Sequence, residues 1–279
     1  IFTVSTSLQE AEIIQMVREQ ADESVTRAIQ GREDQTRIRE VPHHQYAEST
    51  AFRIRKSGFL IMFDTNMLLR AFKDVEGMLV ILPIEGTFLN ENDLVARLYT
   101  SKTVANPKEY EEIINNAFVV DKSKDEIHDY RFALQKISEI GLRAVSTSTN
   151  DPYTAVDALH SLGQVQGRIA STDKHYSMVE GEGGFKLVYP EFNLQEDLHK
   201  YYGSYLQYCQ QDMIVIQAYF KSLDGVRKLS CKENFQIIDR FAAYSLARLS
   251  TEEMLGQDRY RLAVAMLPFE NAYKQTRKI

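Results

Sequence analysis

No run of eighteen apolar residues occurs in this sequence of 279 residues, so no segment is expected to cross a bilayer as a helix. A basic excess is lacking too. Lys and Arg number 33 against 39 Asp and Glu, a net charge of −6, which argues against a nucleic-acid partner. Cysteine is scarce: Cys209 and Cys231 stand far apart and give neither a disulfide framework nor a metal-ligand spacing. Both read as small buried apolar residues, and a reducing compartment suits them. No signal peptide is visible. The adjacent His43 and His44 cannot easily share one metal, so they read as surface loop residues. The Gly-rich stretch 180–184 lacks the Lys-Ser/Thr and helix start of a phosphate cradle. No nucleophile has an attached base and no paired-acid motif occurs, so the sequence leans away from an enzyme and implies no metal and no cofactor.

What is present can form a sizeable core. At 44% hydrophobic the chain suffices for one large domain or two to three small ones. Three regions are expected: an N-terminal helix and loop over 1–46, a small β domain over 47–102, and a helical domain over 103–279 with a hairpin at about 174–190. The fold class is therefore α+β. In the first region Leu8, Ile14, Val17, Ala21, Val25 and Ala28 line one stripe of a helix over 8–29, with Ser7 and Glu10 as a capping box.

From 51 to 98 the texture is that of strands. Residues 52–55 alternate, Ser57-Gly58 marks a turn, and 59–63 and 78–82 are short apolar runs. The stretch 86–98 resembles the half-barrels of lipoyl and biotinyl carrier domains. Lys56 and Lys73 lack the setting of an attachment lysine, so a β-barrel or sandwich without an attached cofactor is expected. Asn106-Pro107 starts the next helix. Glu180-Gly181-Glu182-Gly183-Gly184 forms the tip of a hairpin or loop between two apolar arms. A helix over 194–223, a break at Asp224-Gly225, and helices over 234–249 and 251–274 complete the chain. Helical spacing makes the C-terminal tyrosines bundle core or subunit interface rather than a ligand box.

The most specific stretch is 129–159. Phe132, Leu134, Ile137 and Ile140 form one helical stripe, which Gly141, Leu142 and Ala144 widen. Four Ser/Thr residues then stop the helix. Asp151 is set to cap the next helix, and Pro152 suits its first position. This second helix is expected to bury Tyr153, Val156, Leu159 and Leu162. Candidate functional residues gather at this corner: Asp129, Arg143, Ser146, Asn150, Asp151, Pro152, Tyr153, Thr154, Asp157 and His160. Antiparallel packing would bring Arg143 toward Asp151, and Asp157 shares a helix face with His160. The alternative is that Asn150 and Asp151 only cap, and Arg143 only braces the connector.

These residues resemble a family of predicted membrane proteins, domain of unknown function 2254. The match runs through Asp129, Phe132, Ile140, Leu142, Arg143, Ala144, Ser146, Asn150, Asp151, Pro152, Tyr153, Thr154 and Ala155. Two departures stand out. The family's Ser-Pro is Ser146-Thr147 here, and its upstream Gly-x-x-Arg-Thr is replaced by Asp121, Lys124 and Asp125. The resemblance implies transmembrane helices upstream of Ile1, which fits a first residue other than methionine. It also implies a cell-membrane location, with this region on the cytoplasmic side. On that reading the chain is an extramembrane domain that assembles with itself and couples to the spans in transport, channel or sensing. The competing reading is an enzyme or small-ligand-binding module built on the 150–152 corner.

Overall fold

The computed structural model describes residues 2–31, 35–103, 106–122, 130–146, 148–209, 212–249 and 254–270. Side chains of residues 2–8 and of His44 lie outside that description. The class is α+β, as expected, and the chain divides into two compact units. One unit is residues Gln30–His128 with Lys174–Phe192; the other joins Ile1–Ile29, Asp129–Asp173 and Asn193–Ile279.

The first unit holds strands β1 (Gln35–Ile38), β2 (Glu48–Arg53), β3 (Gly58–Phe63), β4 (Gly77–Ile81), β5 (Phe88–Leu89), β6 (Leu94–Thr100), β7 (Phe118–Asp121), β8 (Tyr176–Glu180) and β9 (Lys186–Pro190). Two sheets result, ordered β1-β8-β9-β4-β6-β2 and β5-β3-β7. Their inward faces share one core in which Leu60, Leu79, Leu98, Phe118 and Leu187 meet. The arrangement is thus two facing open sheets, with helices α2 (Thr65–Ala71) and α3 (Pro107–Ala117) contributing Leu68, Phe72 and Ile114 to the same core. Strand β4 is buried along its whole length. Its Leu79 and Ile81 face this core, while Met78 and Val80 join Val188 in a second cluster on the opposite face. Burial on both faces explains why the sequence there is a continuous apolar run and not an alternation.

The hairpin at 174–190 forms as β8 and β9. It follows the helices in sequence, yet it completes the six-stranded sheet, because β9 pairs in parallel with β4 from Met78 to Val80. Residues 118–121, read from the sequence with the helical domain, likewise pair with β3. The tip carries Gly183 at φ 78, and a Cβ there would collide with the carbonyl oxygen of Lys73 at the end of α2. Only glycine meets both demands.

The second unit is helical: α1 (Phe2–Gln30), α4 (Tyr130–Ala144), α5 (Pro152–Ala170), α6 (Leu194–Tyr202), α7 (Tyr205–Tyr208), α8 (Met213–Leu229), α9 (Phe235–Ala247) and α10 (Gly256–Met266). Helix α5 is the axis, packing on α4, α6 and α8. Its contact faces are made by small residues, with Ala158 close to Gly141 and Gly163 against Ser222. This shifts the buried stripe from the expected one. Ala155, Ala158, Leu159 and Leu162 are inside, while Tyr153 is 70% exposed. Helix α1 buries Ile14, Ala21 and Val25 and is tied to α5 by Arg168, which lies 3.7 Å from Asp22.

The expected helix over 194–223 is three helices. One break falls at Gly203-Ser204 and a second precedes α8, where the Asp212 carboxylate accepts from the amides of Ile214 and Val215 and starts the helix. Asp224-Gly225 does not break the chain; α8 runs through it to bury Leu223 and Val226. Nothing lies within 4 Å of a Cβ added at Gly225. Gly225→Ala is therefore expected to raise stability by about 0.5–1 kcal/mol, since it removes unfolded-state freedom and meets no clash. Urea unfolding checks this, and a loss of stability would contradict it.

Four of the expected core tyrosines are core, whereas Tyr208 is 59% exposed. Tyr201, Tyr202, Tyr205 and Tyr219 are all buried, and each hydroxyl is hydrogen-bonded. Tyr202 pairs with Ser222 Oγ at 2.7 Å, Tyr219 with Ser245 Oγ at 2.8 Å, and Tyr201 donates to the carbonyl of Arg131 at 3.0 Å. Such partners are what let a phenol enter a bundle core. Cys209 is buried as expected, whereas Cys231 is only partly so.

Candidate functional site

The corner between α4 and α5 is built almost entirely by backbone demands. Helix α4 ends at Ala144, and the chain reverses in a turn in which the amides of Thr149 and Asn150 donate to Ser146 O at 3.1 and 3.0 Å. Asn150 takes φ +49, a left-handed conformation that asparagine tolerates better than most residues. The amide of Asp151 then donates back to Ala144 O at 2.8 Å. Asp151 is the N-cap of α5: Oδ1 accepts from the Thr154 amide at 3.2 Å and Oδ2 from Thr154 Oγ1 at 2.8 Å. Pro152 holds the first helical position. Asn-Asp-Pro is thus one left-handed residue, one cap and one pre-set helix start. Replacing Asp151 by Ala is expected to cost about 0.5–2 kcal/mol, with Asn or Ser recovering most of it. Thermal unfolding reads this, and an effect below about 0.3 kcal/mol would contradict the capping role.

Beside the corner lies an open cleft of about 920 Å³. Val145, Ser146, Asn150 and Pro152 line one side. Gln207, Tyr208, Cys209, Asp212, Met213 and Ile214, from the connection between α7 and α8, line the other. Three of the expected residues, Ser146, Asn150 and Pro152, therefore share one surface. Asp151 and Thr154 stand behind them and hold the corner. Ser146 Oγ is 3.1 Å from Ser148 Oγ within the turn. Arg143 is exposed, and the Asp151 carboxylate turns onto its own helix rather than across to it. Asp157 is exposed and His160 half-buried, and among the described residues no ion pair joins them. Asp129 lies outside the described residues.

The cleft presents the Asp212 carboxylate, the Ser146 and Tyr208 hydroxyls, the Asn150 and Gln207 amides and one thiol. Cys209 is its one sulfur nucleophile, and its thiol donates to the carbonyl of Tyr205. Burial pushes that thiol up to about 12, with Asp212 adding to the rise, so no thiolate is present near neutral pH. Among the described residues no group of three His, Cys, Asp or Glu side chains is placed to hold a metal ion.

Sequence reading missed a second feature, a buried charged cluster between α4 and α6. Arg131 Nη2 lies 3.3 Å from Asp197 Oδ1, and both side chains are almost fully enclosed. The Tyr130 hydroxyl donates to Asp197 Oδ2 at 3.1 Å and accepts from Arg131 Nε at 3.1 Å. Burial raises the Asp197 carboxyl to about 6 against the opposing pull of Arg131 and Tyr130. Two signals were present in the sequence. Arg131 shares a helix face with Leu134 and Ser138, and Asp197 sits beside Leu198 between Leu194 and Tyr201.

This chain belongs to the family described as "Predicted membrane protein (DUF2254)", whose pattern it matches over residues 1–225. It is similar to the uncharacterized proteins Rv1290c and MT1328 of Mycobacterium tuberculosis and Mb1321c of Mycobacterium bovis. Each is 30% identical over 138 residues, which is 46% of this chain and 26% of the relative. The aligned part thus spans about a quarter of the length of those relatives. No solved structure matches the chain. No helix among the described residues is long and apolar enough to cross a membrane.

Proposed function

We propose that this chain is the part of an integral membrane protein that stands off the bilayer on its cytoplasmic side. It assembles with copies of itself and couples a recognition event to membrane spans that precede Ile1, in a transport, channel or sensing role. One observation carries the reading: a family of predicted membrane proteins covers residues 1–225, while no described helix can serve as a span. The relatives are long enough to hold spans elsewhere, since the match covers 26% of each. Fractionation of the full-length product tests it. Recovery in membranes, with release by detergent and not by salt or alkali, is the expected result; recovery in the supernatant sinks the reading. Light scattering of the chain over a range of concentration tests self-assembly, for which a constant mass above 32.1 kDa is expected.

Binding at the corner is the favoured mode of recognition because the cleft of about 920 Å³ is lined by amides, hydroxyls, the Asp212 carboxylate and apolar groups beside a protonated thiol. Pockets of this size accept drug-sized ligands. Asn150→Asp keeps the left-handed turn and changes the cleft's charge, so it separates binding from stability. A thermal-shift screen of small metabolites should yield hits for the parent chain that this variant loses. Equal hits in both would remove the corner from the account.

A further inference from the structure

The cleft beside the Asn-Asp-Pro corner carries charge of one sign. Among its described lining residues only Asp212 is ionic near neutral pH, because Cys209 is held protonated. The sequence neighbours Thr147, Gln210 and Gln211, outside the described residues, are uncharged. Only one oxygen of the Asp212 carboxylate is engaged. Oδ1 accepts from the amides of Ile214 and Val215 at 2.9 and 3.2 Å, while Oδ2 has no partner among the described residues. The side-chain amides of Asn150 on one wall and Gln207 on the other are open in the same sense. The ring of Tyr208, next to Gln207, is 59% exposed.

These groups select an occupant by charge and by donor type. An anion would meet the carboxylate, and the two α8 amides that could have held it already serve Oδ1. A divalent ion wants about six oxygen ligands, and among the described residues no three acidic, His or Cys side chains converge. An organic ammonium ion uses what is present. It brings N–H donors and a positive charge to Oδ2, and its charge can rest on the face of a tyrosine ring. The carbon skeleton lies against Pro152 and Ile214, and a carbonyl on it accepts from the amides of Asn150 and Gln207. A volume of about 920 Å³ has room for such a molecule.

We infer that the cleft takes a small organic ammonium ion bearing a neutral carbonyl group, with its charge held by Asp212 and Tyr208. The inference rests on the reading of the corner as a binding site and adds the class of ligand.

Calorimetric titration of the 279-residue chain with phenylalanine amide and with its N-acetylated form tests it. At about pH 6.5 the first carries a charged amine and the second does not. The amine should bind at least about tenfold tighter than the acetylated compound, and added salt should weaken it. Asn caps a helix as well as Asp does, so Asp212→Asn should keep the melting temperature. It should cost the amine about tenfold in affinity and leave the acetylated compound unaffected. Tyr208→Leu, at an exposed ring, should cost the amine about threefold. The inference is overturned if the amine does not bind, if acetylation changes nothing, or if Asp212→Asn binds the amine as the parent does. The thermal-shift screen reads the corner separately. Neutral or anionic hits that Asn150→Asp loses would keep the corner as a binding site after the preference for a cation had failed.

Discussion

Arg131→Ala is expected to destabilise the helical unit by about 3–5 kcal/mol, because it strands the Asp197 carboxylate in the core. That oxygen pair keeps the Tyr130 hydroxyl at 3.1 Å but loses the guanidinium at 3.3 Å. Removing both charges should cost far less. Arg131→Met with Asp197→Leu is expected to come within about 1 kcal/mol of the parent or exceed it, as apolar replacements of buried ion pairs do. Urea unfolding of the two single variants and the double one measures the coupling directly. A single-variant loss under about 1 kcal/mol would show that the pair is not enclosed in solution.

The same cluster gives the chain an unusual pH response. The Asp197 carboxyl sits at about 6 when folded and near 3.8 ordinarily. Between those values the folded chain holds a proton that the unfolded chain has released. Stability contributed by Asp197 therefore grows as pH falls from about 7 to 4, by up to about 3 kcal/mol at 1.36 kcal/mol per unit. Most paired carboxylates act in the opposite sense. In Asp197→Asn the dependence over that window should flatten. In Arg131→Ala the penalty should be largest above pH 7 and shrink on acidification.

Gly141→Ala is the second large effect, and its sign is decided by packing. In an open helix the change would gain about 0.5–1 kcal/mol. Here the added Cβ overlaps the Tyr205 hydroxyl and stands 2.7 Å from the Ala158 Cβ. Overpacking of this kind costs about 1–3 kcal/mol, and the Ala158 atom cannot swing away as a longer side chain would. The net expectation is a loss of about 1–2 kcal/mol. Tyr205→Phe removes the worst contact and leaves the ring carbon Cζ at 3.0 Å, so it should recover part of that loss. Alone it gives up only a long bond to Ser138 O at 3.5 Å. Additive behaviour of the two changes would contradict the close approach of α4, α5 and α7 at Gly141.

Local chemistry made some elements readable in the sequence and left others dark. Asp151 and Pro152 were legible because each answers a demand of its own backbone, a cap and a helix start; Asn150 was read as a second cap and instead takes the left-handed turn. The arms of the 174–190 hairpin were legible for the same reason, through their Gly-rich tip. Their place in the sheet was not, because β9 finds β4 across more than a hundred residues and nothing near Leu187 records that pairing. The far wall of the cleft was hidden similarly. Tyr205, Tyr208 and Cys209 keep a helical spacing that runs on toward Met213, and only the Asp212 cap marks the break. At Gly225 the balance went the other way: one interior glycine costs about 1 kcal/mol, less than the burial of Leu223 and Val226 returns.

On the proposed reading this region stands outside the bilayer on the cytoplasmic side of a membrane-spanning protein. Single-cysteine labelling of the full-length protein tests it most directly. Tyr153→Cys, in a background with Cys231→Ser and any cysteine outside these residues replaced, puts a thiol at a position 70% exposed beside the corner, while Cys209 stays buried and protonated. A membrane-impermeant maleimide should label it in inverted vesicles and not in intact cells. Labelling in intact cells would contradict the cytoplasmic placement.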